Sequence, residues 1–406
     1  MPSNRFPFLS FALMILAGGL AAYAADDRFD QVDEALSFAA LENTFRGKIS
    51  GTLDLELYRV EQPAPGLIST EGNWLFNPRL SVFFDARWGT KIYGFVQVRA
   101  DRGYDPNSDT KRFRWDEYAL RFRPDGEGRL VVQVGKFATV LGNWIVRHAS
   151  WENPFIGAPL PYENVTAISD LAAPVSAIRF VSPEADEKYE YNPIVWGSSY
   201  GTGLSVSGTS GRFDYAFEVK NSALSSRPEA WSLSKVGFEA PTYTARIGFR
   251  PDLRWNLGVS ASDGAYHLPV SAASLPTGHG RREYRQKLLA ADLGFAWHYL
   301  QVWAEFFEST FDVPGIGTPR TRAGYVEAKY KVTPQLYAAL RINRQVFSNV
   351  DIGLGRVPWS PAIWRIDAAA GYRVTPHAQL KLQVSAEDRE ASASRRNVAG
   401  QFTLRF

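Results

Sequence analysis

From residue 47 onward the chain alternates between apolar and polar positions. In KISGTLDLELY, Ile49, Gly51, Leu53, Leu55 and Leu57 share one face of an extended strand, and Lys48, Ser50, Thr52, Asp54, Glu56 and Tyr58 share the other. RFDYAFEVK behaves the same way, with Phe213, Tyr215, Phe217 and Val219 opposed to Asp214, Ala216, Glu218 and Lys220. This rule predicts strands over 47–59, 79–88, 91–100, 113–123, 129–136, 201–208, 212–221, 242–250, 254–261, 286–297, 300–309, 322–332, 336–347, 362–374, 379–387 and 396–406. They number about sixteen, and most approach the roughly ten residues that a tilted strand needs to cross a bilayer.

The connections form a second pattern. Trp88-Gly89-Thr90, Pro124 to Gly128, Thr209-Ser210-Gly211, Pro251 to Arg254, His298-Tyr299, Thr333-Pro334-Gln335 and Thr375-Pro376-His377 are tight turns built from residues that set turn dihedrals. Between them lie longer loops over 60–78, 101–112, 137–200, 222–241, 262–285, 310–321, 348–361 and 388–395. Short and long connections alternate strictly. A soluble β-sandwich or jelly roll shares the alternation within one strand, but its strands are shorter and it lacks this rhythm.

The rhythm implies an all-β fold: a transmembrane antiparallel up-and-down β-barrel of about sixteen strands, with short turns on the periplasmic side and long loops outside. The end of the chain fits. VAGQFTLRF resembles the C-terminal assembly signal of outer-membrane barrels, in which a terminal aromatic follows alternating apolar residues, here Phe402, Leu404 and Phe406. The resemblance implies pairing of the last strand with the first and handling by a barrel assembly machinery. Trp88, Trp255, Trp297, Tyr299, Tyr372 and Phe406 stand at strand ends, where a membrane-interface girdle places them.

Composition fixes the compartment. Arg5 precedes the apolar run FPFLSFALMILAGGLAAYA, and Ala22-Tyr23-Ala24 has the small-x-small form of a signal-peptidase site. The expected division is a signal peptide over 1–24 cleaved after Ala24, a short periplasmic segment over 25–45 and a barrel over 46–406, exported to the bacterial outer membrane. An uncleaved anchor helix fits less well, because the run is short and breaks at Gly18-Gly19. The chain has no cysteine, which removes thiolate and haem-attachment chemistry, and a net charge of only +3 without Lys/Arg blocks, which argues against nucleic acid. No cofactor or metal is implied.

If the apolar face meets lipid, the polar face lines a lumen that sixteen wall strands leave too wide to fill with side chains. Arg99, Arg121, Arg246, Lys329, Arg341 and Arg365 are the expected cationic lining, with Lys48, Arg87, Lys220, Arg250, Lys331, Arg373, Lys381 and Arg405 on the same face. Carboxylates alternate with them at Asp54, Glu56, Asp85, Glu117, Asp214, Glu218, Asp292, Glu305, Glu327, Asp367 and Glu387. Many of these charges have only to pair across neighbouring strands.

The 137–200 connection carries Trp144, Trp151, Phe155, Tyr162 and four prolines, too apolar for a loop that waves in water. It is expected to fold into the lumen, with Arg147, His148 and Glu152 at a pore constriction. An unperturbed His148 would change charge near pH 6 to 7. By position this third long loop resembles the constriction segment of general porins. The basic lining resembles phosphate-selective porins, although their arginine ladder and lysine cluster are absent. The porin resemblance implies passive diffusion of small hydrophilic solutes or ions, with a weak anion preference, in a homotrimer set in outer-membrane lipid.

Two other functions are compatible with a barrel. A plugged or partner-binding barrel, as a conduit sheath or adhesin, would hold something other than its own loop in the lumen. A barrel hydrolase could draw on His267, His279 and Asp263 in the fifth long loop, among five histidines in all, but no G-x-S-x-G elbow is present. The twenty-residue acidic segment DDRFDQVDEALSFAALENTF allows a short helix or tether, not the globular plug of a TonB-dependent transporter.

Overall fold

A computed structural model describes residues 26–68, 70–102, 112–182, 190–390 and 393–406; the expected signal peptide and its cleavage point lie outside these. The chain enters through a helix, α1 (Asp26–Ala35), and a short strand over Ser37–Ala40. Sixteen wall strands follow, beside a separate two-stranded hairpin of Asn349–Asp351 and Arg356–Pro358: β1 (Phe45–Val60), β2 (Trp74–Trp88), β3 (Ile92–Asp101), β4 (Arg112–Phe122), β5 (Val131–Lys136), β6 (Thr202–Ser210), β7 (Phe213–Lys220), β8 (Thr242–Phe249), β9 (Trp255–Ala265), β10 (Arg285–Trp297), β11 (Leu300–Phe311), β12 (Arg320–Lys331), β13 (Leu336–Phe347), β14 (Ile363–Arg373), β15 (Ala378–Arg389) and β16 (Arg395–Arg405). Each pairs antiparallel with the next, and β16 pairs with β1, so the sheet closes on itself. Closure removes the unpaired edges that an open sheet exposes.

Side chains sort as the alternation requires. Phe113, Trp115, Leu120, Ile247, Val259, Leu289, Phe306, Val326 and Ile366 are exposed, whereas Asp54, Glu56, Glu305, Glu327, Arg341 and Asp367 are buried. Such an inside-out distribution costs free energy in water and suits hydrocarbon around the wall. Trp88, Trp297, Tyr299 and Tyr372 are exposed where the strands run into or leave the short turns, forming an aromatic belt at that end.

Two departures from simple alternation have local causes. β2 starts at Trp74, earlier than expected, because Pro78 does not end it: the proline sits opposite Leu55 and the ladder continues to Arg59↔Trp74. In β4 the register shifts opposite Gln97/Val98, so Asp116 is an extra residue between Trp115 and Glu117. The bulge moves the exposed positions from Phe113 and Trp115 to Tyr118, Leu120 and Phe122 and directs both Asp116 and Glu117 inward.

The barrel seam uses both ends of the described chain. β16 covers β1 from Val60 down to Thr52, and Phe406 and Gly51 exchange backbone bonds of 2.8 and 3.1 Å. Below that point Ser37–Ala40 pairs with Phe45 to Lys48, and Leu36 accepts from the amide of Ile49. The rest of β1's edge is thereby occupied. α1 stays beside this seam through Asp33 on Lys48 (2.8 Å) and Asp30 on His377 Nε2 (3.0 Å) in the last short turn.

Candidate functional site

The 137–201 connection leaves β5 and returns to β6; near its ends it bonds Glu117 of β4 and Glu218 and Lys220 of β7, and farther along it reaches strands across the barrel. Trp144 donates its amide to Glu305 of β11 at 2.9 Å, the Asn143 amide donates to the same carboxylate, and the Tyr162 hydroxyl does so at 2.6 Å. Gln383 of β15 accepts the amides of Ile156 and Gly157 at 2.6 and 3.0 Å, and Asn343 of β13 accepts that of Leu160 at 3.2 Å. Lys381 donates to the carbonyl of Ser150. Backbone groups that leave regular structure are thus satisfied by the polar wall, which a purely apolar core could not do.

Local sequence shapes the connection for this. Pro159 holds extended backbone ahead of a single helical turn, Leu160–Glu163, in which Pro161 occupies a position that needs no amide donor. The turn buries Tyr162 against Trp144, with ring centroids 4.4 Å apart, and edge-on to Phe307 of β11 at 5.6 Å. Tyr162, Trp144, Leu141, Ile145 and Phe307 belong to the largest buried apolar cluster.

A chain of alternating charges ties connection and wall together. Arg147 pairs with Glu327 of β12, and Glu327 lies 3.5 Å from Arg341 of β13. Arg341 bonds Asp367 of β14 at 2.8 Å, Asp367 faces Arg365 at 3.2 Å, and Arg365 pairs with Glu163 of the connection. Arg341 also donates to the carbonyls of Gly157 and Ala158 at 3.0 and 3.2 Å and lies over the ring of Phe155 at 4.2 Å. Three guanidinium groups and three carboxylates therefore neutralise one another, all buried but the half-buried Glu163.

The connection's contacts described above reach inward-facing residues of β11 to β15. A cavity of about 770 Å³ remains on the other side, against β1–β4 and β16. Its wall includes Lys48, Ser50, Thr52, Asp54, Glu56 and Tyr58, the alternate residues of β1, and its other side includes Trp144, His148, Trp151, Glu152, Phe155 and Glu163. Arg79 stands on the wall bonded to Asp54 (3.0 Å) and Glu56 (2.8 Å). Arg99 bonds Asp116 at 2.8 Å, and Arg114 bonds Asp101 and Asp116 at 2.9 and 2.7 Å.

The residues singled out by sequence separate into groups. Arg99, His148 and Glu152 line the cavity. Glu152 is exposed. Arg147 is buried, its guanidinium over the Trp303 ring at 4.3 Å and donating to the Tyr325 hydroxyl at 3.2 Å. Arg341 and Arg365 are buried in the charge chain. Arg246 bridges Asp214 and Asp292 at 2.6 and 2.8 Å, Arg121 lies over Phe95 at 4.6 Å, and Lys329 lies over Tyr337 at 4.5 Å, all three away from the cavity. Arg79, Arg114 and Asp116 are wall groups that sequence reasoning missed. Arg79 shares the parity of Asp85 and Arg87, which was a usable signal; the β4 bulge hid the other two.

His148 does not have the titration expected of a free imidazole. Its ring bonds the carbonyl of Ile145 (2.5 Å) and the Tyr200 hydroxyl (2.7 Å). Loss of hydration, with Arg99 and Arg79 nearby, depresses it to about 4. Asp263, expected in the fifth long loop, lies on β9 and is held by Arg285 of β10 at 2.5 Å; within the loop His267 stacks on Tyr266 at 4.4 Å and His279 bonds Glu283 at 2.6 Å. Among the described residues, neither histidine is joined to Asp263 in a catalytic relay.

No known family matches the sequence, and no curated protein does so. Solved structures do match. A Salmonella typhi OmpF complex with daunomycin aligns with a TM-score of 0.58 at 10% identity, covering 91% of this chain and 100% of that one. The anion-selective porin from Comamonas acidovorans gives 0.55 at 9% identity over 89% and 100%, and the outer membrane channel DcaP of Acinetobacter baumannii gives 0.56 at 12% over 91% and 99%. At such identities the likeness is one of fold. With its closed sixteen-strand wall, apolar exterior and charged interior, the chain has the fold of porin-like outer-membrane β-barrels.

Proposed function

We propose that this barrel is a passive diffusion channel through which small hydrophilic solutes and ions cross the bacterial outer membrane, with the 137–201 connection folded into the lumen as its constriction. The observation that carries the reading is the cavity beside β1. From Lys48 to Tyr58 it follows the strand for about 33 Å at roughly 3.3 Å per residue. With barrel strands tilted by about 40°, this projects to roughly 25 Å along the axis, the height of the apolar band of such barrels.

The cavity lining carries Asp33, Asp54, Glu56, Asp101, Glu117, Glu152 and Glu163, seven carboxylates, against Lys48, Arg79, Arg99, Arg114 and Arg405, five cations. Glu163 is already paired with Arg365, and the remaining excess of one negative charge favours cations weakly, a reversal of the anion preference expected from the whole polar face. The difference arises because Arg341, Arg365 and Arg246 are neutralised away from the path. Export by a signal peptide cleaved after Ala24, assembly as a homotrimer and the absence of enzymatic activity complete the proposal.

The test is single-channel recording of the refolded protein in a planar bilayer under a salt gradient. Discrete steps with a reversal potential on the cation side support the reading. A folded barrel without steps overturns it in favour of a plugged, partner-dependent barrel.

A further inference from the structure

The outer face of the barrel holds a second cavity of about 770 Å³, separate from the internal one. It is a groove across β10–β13. Small residues, Ala291, Ala304 and Gly324, floor it on three adjacent strands, and Phe306, Val326 and Ile342 form its raised apolar sides. Most of a lipid-facing wall is convex and greasy; a recess floored by three small residues is shaped for a chain that lies along it.

The long-loop end of the groove is charged. Arg322 and Arg344 are part of its lining, both exposed on the outward face. Arg344 stands opposite Gly324 and Trp364 in register and lies over the Trp364 ring at 4.6 Å. Arg322 bonds Glu308 at 2.6 Å, and Arg320 approaches the same carboxylate at 3.7 Å. Two guanidinium groups thus share one carboxylate while Arg344 stands on Trp364, so the three arginines leave an excess of two positive charges directly above an apolar groove. Outward-facing arginine is unfavourable in hydrocarbon unless a counter-ion or headgroup meets it.

We propose that this groove binds a phosphorylated glycolipid of the outer leaflet, the lipid A class, with a phosphate between Arg322 and Arg344 and an acyl chain over Ala304 and Gly324. The arginines lie at the long-loop end, which in a barrel of this type faces the cell exterior, where a lipid phosphate would stand. A planar guanidinium pair recognises phosphate by paired N–H donors, and Trp364 holds Arg344 ready without neutralising it. The proposal rests on the apolar outer face meeting lipid and is independent of conduction through the lumen.

The experiment is native mass spectrometry of the full detergent-folded chain titrated with bisphosphorylated lipid A, with dephosphorylated lipid A and phosphatidylglycerol as separate arms. Wild type is expected to retain lipid A at least ~5-fold more tightly than Arg322→Gln/Arg344→Gln, the loss of two charge-assisted contacts, and to retain the dephosphorylated lipid no better than that variant does. Ala304→Leu, which fills the groove, is expected to weaken lipid A with both arginines intact. Equal retention by wild type and the double variant, or phosphatidylglycerol held as tightly as lipid A, overturns the assignment. So does efficient disulfide cross-linking of an Ala304→Cys variant, a unique thiol in a chain without cysteine, since the groove would then face a second copy. Unchanged heat-modifiable electrophoretic mobility shows that each variant is folded.

Discussion

Arg147 and Glu327 form a buried ion pair across the interior of the barrel, although 180 positions separate them. The pair joins the connection that follows β5 to the wall at β12. Removing one partner leaves the other charged and without water, a penalty of about 3–5 kcal/mol. Arg147→Ala is therefore expected to undock the connection from β12, seen as faster trypsin cleavage within 137–201 and a larger, noisier conductance. The double variant Arg147→Met/Glu327→Gln, which strands no charge, is expected to recover most of the protection. If Arg147→Ala is as protease-resistant as wild type, the charge chain does not hold the connection.

His148 makes a prediction about pH. Depressed to about 4, it is roughly nine-tenths neutral at pH 5, so it leaves conductance flat between pH 5 and 8 even though it lines the cavity. The stability consequence lies lower. An undocked imidazole accepts a proton near 6.5 and the docked one only near 4, so the undocked state binds more protons as pH falls. Docking strength is unaffected above about pH 6.5 and declines towards pH 4. Trypsin is a poor tool at that pH; pepsin cleavage of wild type and His148→Gln between pH 6 and 4 reads it. Identical pH profiles for the two proteins would remove His148 from the account.

Much of this architecture is legible in the sequence because a side-chain period of two survives wherever one face meets lipid and the other water. Gly51 to Leu57 and Phe213 to Val219 show it directly. It fails where a backbone event changes phase: the bulge at Asp116 hid Arg114 and Asp116 in a strand otherwise easy to read. The connection's position and aromatic content were legible too. Its partners were not, since Arg341 and Arg365 have the same parity as any lumenal cation. Only the fold of residues 150–163 decides that they meet the carbonyls of Gly157 and Ala158 and the carboxylate of Glu163 in place of solute.

Glu152 allows a separation of charge from structure. It is exposed and lines the cavity, with no ion pair to a described residue. Glu152→Gln is expected to leave folding unchanged and to move the reversal potential towards anions, and Glu152→Lys to move it further, by on the order of 5–15 mV in a tenfold salt gradient. Unchanged selectivity in both variants would place the conducting path elsewhere.

Gly51 of β1 offers no side chain at the point where the barrel closes. The Phe406 ring lies over it, so that a Cβ there would sit 2.4 Å from the ring, while the two backbones exchange hydrogen bonds. The glycine lets the last aromatic lie flat on β1 beside Leu53 and Leu404, which are paired in register. Gly51→Val restores strand propensity but displaces the ring, whereas Phe406→Ala keeps the backbone pairing and removes the ring. If the ring's seat on β1 stabilises the seam, both variants lower the fraction of folded, heat-modifiable protein in the outer membrane, and Gly51→Val/Phe406→Ala is no worse than Phe406→Ala alone. If Phe406→Ala assembles poorly while Gly51→Val assembles normally, the aromatic acts through recognition during assembly and not through its contact with Gly51.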